Sequence, residues 1–359
     1  MTRLRLSVVV PCYNEEGCLD LLHARVSAAA QAAVGDAYEI VLVNDGSKDK
    51  SWQVMQRLSQ ADSHVVAINL SRNHGHQLAL TAGLDLCAGD EILIIDADLQ
   101  DPPELLTDMR RTMAEQGADV VYAVRRKRDG ETVFKKATAA IFYRMLDRIT
   151  DTPIPLDTGD FRLMSRRALD ALLSLPEQAR FIRGMVAWIG FRQVPFVYDR
   201  HERHAGESKY PLSKMLRFAL DAVTGFSTAP LRFASHVGLV LTAASALLVL
   251  YIVVGWLMGT NVQGWTSTML VVVVLGAVQM FVLGMIGEYL GRLYVESKRR
   301  PLYLVADVAG PVRGRASLGY RYEDRGDVTY APRIARQDDA GDASAMIDSP
   351  GGSGNLPTK

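Results

Sequence analysis

Residues 94–104 read IIDADLQDPPE, an apolar run that ends in Asp96, Asp98, Gln100 and Asp101. Ile92 to Ile95 have the pattern of a buried strand, so the acidic groups stand where that strand emerges. Part of this crowding has a local explanation. Asp101 is placed to cap a helix beginning at Pro102, and Glu104 would complete a capping box. Asp96, Asp98 and Gln100 remain. Two carboxylates one residue apart, with an amide oxygen nearby, are hard donors suited to Mg2+ or Mn2+. Such a cation bridges a diphosphate and neutralises a leaving group. D-x-D is common by chance; its position, between a buried strand and a capped helix, gives it weight here.

Working outward, residues 1–125 alternate short apolar runs with amphipathic stretches. The strand candidates are Leu6–Val10, Glu39–Val43, Val65–Leu70, Glu91–Ile95 and Asp119–Val124, with helical patterns such as Gln77–Leu86 and Leu105–Glu115 between them. This alternation predicts an α/β fold with a mostly parallel, Rossmann-like sheet, whose ligands bind at the carboxyl ends of the strands. The polar clusters PCYNEE, NDGS, SRNHG and DADLQD follow the first four strands in turn. No G-x-G-x-x-G follows the first strand, which disfavours a nicotinamide cofactor. A basic segment, VRRKRDGETVFKK (124–136), leads into a helical stretch to about Ile149, a proline-punctuated loop (152–156) and a strand-like DFRLM (160–164).

Composition separates the second half of the chain from the first. Phe233–Met258 and Gln263–Gly287 carry no Asp, Glu, Lys or Arg. Each run exceeds the roughly 20 residues of a bilayer-spanning helix. The alternative, a hairpin buried in a soluble core, conflicts with the lack of any polar face over such length. Lys209, Lys214, Arg217 and Arg232 precede the pair and Arg292, Lys298, Arg299 and Arg300 follow it, so both ends are expected in the cytoplasm of an inner-membrane protein. Residues 210–229 read as an interfacial amphipathic helix, and YLGRLYVESKRRPLYLVADV (289–308) as a return along the membrane surface. From about Ala331 the tail lacks periodicity and reads as disordered. Forty basic and forty acidic residues give zero net charge and no general attraction to nucleic acid. Three cysteines argue against a disulfide framework. The apolar run near Met1 is too short for a signal h-region. The spacing of Gly284, Gly287 and Gly291 permits helix association and hence a homo-oligomer.

In this order and spacing, SVVVPCYNEE, VLVNDGSKDKS, DADLQDPPE and TGDFRLMSRRA resemble family 2 glycosyltransferases of the GT-A fold. The closer likeness is to the polyprenyl-phosphate glycosyltransferases, dolichyl-phosphate mannose synthase and the GtrB-like enzymes. FIRGMVAWIGF and HERHAGESKYPLSKM are similar to later family blocks, and two terminal spans point to the GtrB-like branch. The resemblance implies that Pro11, Tyr13, Asn14 and Glu15 line the nucleotide site and that Asp45 contacts the nucleoside. It implies that Asp96 lies near the ribose and diphosphate, and that Asp98 and Gln100 hold the metal. It places Asp160 by the acceptor phosphate, with Asp157 as the rival and Arg162 as a group that Asp160 orients. A phosphate monoester is already mostly dianionic at neutral pH, so Asp160 is either a base or a positioning group. Phosphate contacts are expected from Arg125, Arg128, Arg200, Arg203, Ser208 and Lys209. Trp188 and Phe191 read as core or as a wall of the acceptor groove.

The expected organisation is a catalytic domain (1–209), a juxtamembrane helix (210–231), a transmembrane hairpin (232–291), a cytoplasmic segment (292–330) and a disordered tail (331–359). The expected activity is inverting transfer from a UDP-sugar to undecaprenyl phosphate. The rivals are a processive or protein-directed transferase and a non-catalytic scaffold. The first lacks an intact Q-x-x-R-W block here, and the second would be expected to have lost the DAD or GDFRLM carboxylates.

Overall fold

The computed structural model describes residues 4–125, 158–198, 229–258, 264–311, 320–322 and 328–330. One eight-stranded sheet organises most of them. Its strands are β1 (Leu6–Cys12), β2 (Tyr38–Asn44), β3 (Val65–Leu70), β4 (Glu91–Ile94), β5 (Val120–Arg125), β6 (Thr158–Ser165), β7 (Gln193–Tyr198) and β8 (Val305–Ala309), in the order β7-β5-β6-β4-β1-β2-β3-β8. β1 pairs in parallel with β2 and β4, β2 with β3, and β5 with β7; β6 and β8 run antiparallel to their neighbours. The mostly parallel sheet is therefore as expected, with strand limits within two residues of the sequence reading.

Every residue of β1 and β2 is buried, because helices cover both faces and no side of these strands meets water. The helices are α1 (Leu19–Val34), α2 (Ser51–Ala61), α3 (His76–Leu86), α4 (Leu106–Gln116), α5 (Arg166–Ser174) and α6 (Ile182–Trp188). α3 lies very close to the sheet: a Cβ on Gly83 would come within 2.4 Å of Val9 and 3.0 Å of Val43. Because β1, β2 and β3 step one way and the chain then returns to β4 on the other side of β1, the crevice opens at the carboxyl ends of β1 and β4.

Two long helices follow, α7 (Ala229–Leu257) and α8 (Trp265–Ser297). Both are long and apolar enough to cross a membrane, over Phe233–Gly255 and Leu270–Ser297, and neither window is buried within the chain. That exposure removes the alternative of a buried soluble hairpin. Residues 289–308 do not form one surface segment. The first part completes α8, and β8 joins the catalytic sheet beside β3, with Ala309 opposite Ala67 and Val308 opposite Ile68. Tyr303 is buried there and its hydroxyl donates to Asp85 Oδ2 at 2.8 Å. The sheet is thus completed by chain that comes after both long helices.

A separate unit, Ala316–Lys359, contains an antiparallel pair, β9 (Tyr320–Tyr322) and β10 (Val328–Tyr330). Of the amphipathic helix expected at 210–229, residues 210–228 lie outside the described residues and Ala229 begins α7; the tail from 331 also lies outside them.

Candidate active site

The loops after β1, β2 and β3 are tied into one platform. Asn14, at φ 56°, donates its N–H to Ser47 Oγ at 2.9 Å and accepts from Lys48 N–H at 2.8 Å. Glu15 N–H donates to Ser51 Oγ at 2.9 Å. Pro11 is buried in β1 opposite Val43, while Tyr13 stands 42% exposed beyond the strand. Asp45 is buried and accepts the N–H groups of His74 (2.7 Å) and Gly75 (3.0 Å). Burial raises its pKa, and these two bonds oppose the rise. In this arrangement Asp45 shapes the SRNHG loop. The two loops touch at Gly46, whose φ is +64° and whose added Cβ would come within 2.5 Å of Asn73 N, so only glycine fits.

The acidic loop after β4 turns sharply. Leu99 takes φ 60°, and Gln100 N–H donates to Asp98 Oδ1 at 3.2 Å. The expected capping box does not form. Pro102 precedes a 3-10 turn (Pro103–Leu105) with no side-chain cap. Asp101 is buried and accepts the Tyr198 hydroxyl, and Glu104 instead pairs bidentately with Arg25 at 2.8 Å through both oxygens. The successive prolines keep Pro102 extended, at ψ 116°, so Asp101 lies one residue too far back to cap.

Asp96 and Asp160 meet across the crevice through His76. His76 Nε2 is 3.0 Å from Asp160 Oδ2 and 3.6 Å from Asp96 Oδ1. Asp160 is buried in β6 and accepts from Arg183 Nε at 2.8 Å and Nη2 at 3.3 Å, and from Gln77 Nε2 at 3.3 Å. Burial alone would raise the Asp160 pKa. The His76 bond, the charge and bonds of Arg183 and the charge of Arg162 outweigh it and hold the carboxyl well below its usual range. Arg162 is buried, with its Nε on the carbonyl of Asp160 and its Nη2 on that of Gly159. Burial pulls its pKa down to about 10, with Asp160 opposing. Asp96 goes the other way. Burial pushes it up to about 6, His76 opposes this, and the charges of Asp160, Asp101 and Asp98 add to it. For His76, burial is outweighed by Asp160 and Asp96, so its pKa rises.

His76, Asp96 and Asp160 lie close enough to suggest a metal cage, their ligand atoms within 4.8 Å of one another. The bonding of Asp160 argues otherwise: its oxygens already accept from a guanidinium, an imidazole and an amide. The acidic loop is the better fit for a cation. Asp96 Oδ1 is buried without a hydrogen-bond partner, and Asp98 and Gln100 add oxygen donors one and three residues beyond Ala97. A divalent cation is compatible with that donor set.

Of the other expected residues, Arg125 ends β5. Asp157, Arg128, Arg200, Arg203, Ser208 and Lys209 lie outside the described residues. Trp188 is 60% exposed and so is not core, while Phe191 stacks under Arg167 at 5.0 Å. All three cysteines are free thiols. His76, Gln77 and Arg183 went unassigned in the sequence. Their positions, directly after SRNHG and inside FIRG, were visible, but their convergence on Asp160 was not.

A crevice with a D-x-D loop at the carboxyl ends of the strands, on a sheet of this topology, is the arrangement of the GT-A glycosyltransferase fold. The chain belongs to glycosyl transferase family 2, which matches residues 7–173, and the GtrB C-terminal hairpin matches residues 229–293. It is 47% identical over 304 residues to the uncharacterized glycosyltransferase YkcC of Bacillus subtilis, covering 84% of this chain and 93% of that protein. It is 37% identical over 303 residues to the bactoprenol glucosyl transferase of Shigella phage SfV, covering 84% and 98%. Among solved structures it is similar to glucosyl-3-phosphoglycerate synthase from Mycobacterium tuberculosis in complex with Mn2+, UDP-glucose and phosphoglyceric acid. That likeness has a TM-score of 0.42 at 19% identity, over 62% of this chain and 78% of that one.

Proposed function

We propose that this enzyme moves a sugar from a UDP-linked donor to undecaprenyl phosphate, with inversion, at the cytoplasmic membrane face. The observation that carries the reading is the 37% identity to a bactoprenol glucosyl transferase, across 98% of that protein's length. Two helices long and apolar enough to cross a membrane suit an acceptor whose phosphate sits at the bilayer surface.

In the proposed reaction an oxygen of the lipid phosphate attacks the anomeric carbon. The bond from that carbon to the donor's β-phosphate oxygen breaks, its electrons leave with the diphosphate, and the configuration inverts. Asp98 and Gln100 would hold Mg2+ or Mn2+, which when bound supplies charge for the diphosphate. Tyr13, Asn14 and Glu15 stand on the loop that would flank the nucleotide, and Asp45 fixes the facing loop from beneath. The acceptor phosphate has a second pKa of about 6 and is largely deprotonated at neutral pH, so no strong base is required. Asp160, locked to Arg183, His76 and Gln77, suits positioning better than proton removal. The distal arginines Arg200 and Arg203, with Ser208 and Lys209, are proposed as further phosphate contacts.

The test is to incubate the purified full-length protein with undecaprenyl phosphate, Mg2+ or Mn2+ and a panel of nucleotide sugars, and then to read the lipid by mass spectrometry. A lipid mass increased by one hexose or related sugar is expected with one donor. No adduct with any donor, alongside transfer to a protein or a growing glycan, would overturn the reading.

A further inference from the structure

We infer that Asp307, on the strand that follows the two long helices, is a positioning residue for the sugar-nucleotide. It fixes the polarity of a chain of amides that shapes the loops after β2 and β1. The inference rests on the proposed donor site at those loops and assigns their alignment to chain that comes after α8.

The first argument is hydrogen-bond polarity. Asn69, near the end of β3, donates from Nδ2 to Asp307 Oδ2 at 3.2 Å. Its Oδ1 accepts from Asn44 Nδ2 at 2.7 Å, and Asn44 Oδ1 accepts the N–H of Ser47 at 3.2 Å. Ser47 Oγ in turn accepts the N–H of Asn14 at 2.9 Å. Each side-chain amide has a donor end and an acceptor end, and a flip exchanges them. A carboxylate can only accept, and a backbone N–H can only donate. With Asp307 at one end and the Ser47 N–H at the other, a single orientation of both amides satisfies every bond. Asn44 is buried, so a flip there would set donor against donor with no water to relieve it. Asn14 sits at φ 56°, outside the usual regions for a residue with a side chain, and its bonds to Ser47 and Lys48 hold it there.

The second argument is location. β8 is clamped on both sides of Asp307. Before it, Ser71 N–H donates to the carbonyl of Leu304 at 2.9 Å. After it, Ala309 lies opposite Ala67, and Gly310, at φ +92°, packs so closely that no Cβ would fit against the Val65 carbonyl oxygen. Asp307 itself stands opposite Asn69, where the register of the pair shifts. α8 ends at Ser297, so the carboxylate is brought to the donor loops by the chain that leaves the long helices. By charge alone a carboxylate on this side of the crevice would oppose an anionic donor. Its contribution to the donor site is therefore the orientation of the two amides.

The experiment uses the full-length protein in nanodiscs. Calorimetry gives the Kd for UDP with Mn2+, and KM is measured separately for the donor identified above and for undecaprenyl phosphate. Wild type, Asp307→Ala and Asp307→Asn are compared, with melting temperature as the folding control. Asp307→Ala is expected to weaken UDP binding and raise the donor KM about threefold to tenfold, the range for one lost hydrogen bond, with acceptor KM within about twofold of wild type. Asp307→Asn keeps one acceptor oxygen and should recover part of the loss. In an Asn69→Ala background, Asp307→Ala should change neither value further, because the relay is already cut. Charge alone predicts the opposite sign, since removing a carboxylate would tighten an anionic nucleotide. Unchanged or tighter UDP binding in Asp307→Ala, or a further loss in the Asn69→Ala background, overturns the inference. If Asp307→Ala does not fold, Asp307→Asn alone decides, by whether UDP binding weakens while acceptor KM holds. A wild-type protein that binds no UDP would overturn the donor reading itself, which is a different result.

Discussion

Replacing Asp160 by asparagine tests the centre of the site. The carboxylate is 4% exposed and accepts from Arg183 at 2.8 and 3.3 Å, His76 at 3.0 Å and Gln77 at 3.3 Å. An asparagine keeps one acceptor oxygen but turns an NH2 toward groups that are all donors. It also leaves Arg162 buried without its counter-charge. Breaking a buried ion pair costs about 3–5 kcal/mol, and hydration of the one-third-exposed Arg183 favours about 3 kcal/mol. For a domain of this size that is a fall in melting temperature of about 6–12 °C. The pH dependence follows from the direction of the shift. The folded pKa of Asp160 lies below its ordinary value, so its stabilisation is fully present above about pH 4 and is lost only as pH falls through the lower folded value. Melting curves of full-length wild type and Asp160→Asn, recorded from about pH 5 to about pH 9, should keep a gap throughout, one that widens as pH falls through the raised pKa of His76, whose proton Asp160 helps to hold. A gap below about 2 °C, or one that closes between pH 7 and pH 5, would refute the picture of a permanently ionised anchor.

Other consequences are open to measurement. Asp98→Asn should weaken Mn2+ binding, read directly by electron paramagnetic resonance, and lower turnover at least about a hundredfold; unchanged Mn2+ affinity would remove Asp98 from the metal. Gly46→Ala, at φ +64° and with Asn73 N 2.5 Å from the new methyl, should cost at least about 1–3 kcal/mol in thermal or chemical denaturation. Tyr303→Phe removes the hydroxyl bonded to Asp85 and should destabilise the domain by about 1–3 kcal/mol, which would not occur if that segment lay on a membrane surface. Cysteine labelling should reach position 263 from the far side of the membrane and position 209 from the cytoplasmic side; labelling of both from one side would exclude the hairpin.

The strands were legible because their apolar runs are almost entirely buried and bounded by polar clusters, so composition alone marks β1 to β5. The long helices were legible from the absence of charge. What stayed hidden depends on contacts between segments far apart in sequence. Asp160 was picked out with Arg162 as its partner, yet its shortest bond is to Arg183, twenty-three residues on, and His76 lies eighty-four residues before it. Local rules also failed where tertiary bonds outweighed them. Asp101 has the spacing of an N-cap, but Tyr198, ninety-seven residues away, takes its carboxylate. β8 was missed because VADVA follows a basic, helical stretch and has no neighbouring strand in sequence to suggest a partner.

The placement of β8 bears on why the catalytic domain and the long helices form one machine. α3 has His76 and Gln77 at its first turn, in the site, and Asp85 near its last, where Tyr303 binds. About 15 Å of rigid helix therefore joins the reaction centre to the chain that emerges from α8. On the other flank, Glu296 at the end of α8 binds Gln178, and five residues later Arg183 binds Asp160. α8 thus ends between two attachments, and both lead to the same carboxylate. A single tether would let the domain pivot over the bilayer and would leave the distance between crevice and membrane surface undefined. Two attachments on opposite sides restrict that rotation. The gain for a soluble donor would be small. For a lipid whose phosphate is confined to the membrane surface, as proposed above, a fixed height of the crevice above that surface would help to bring the attack on the sugar into line.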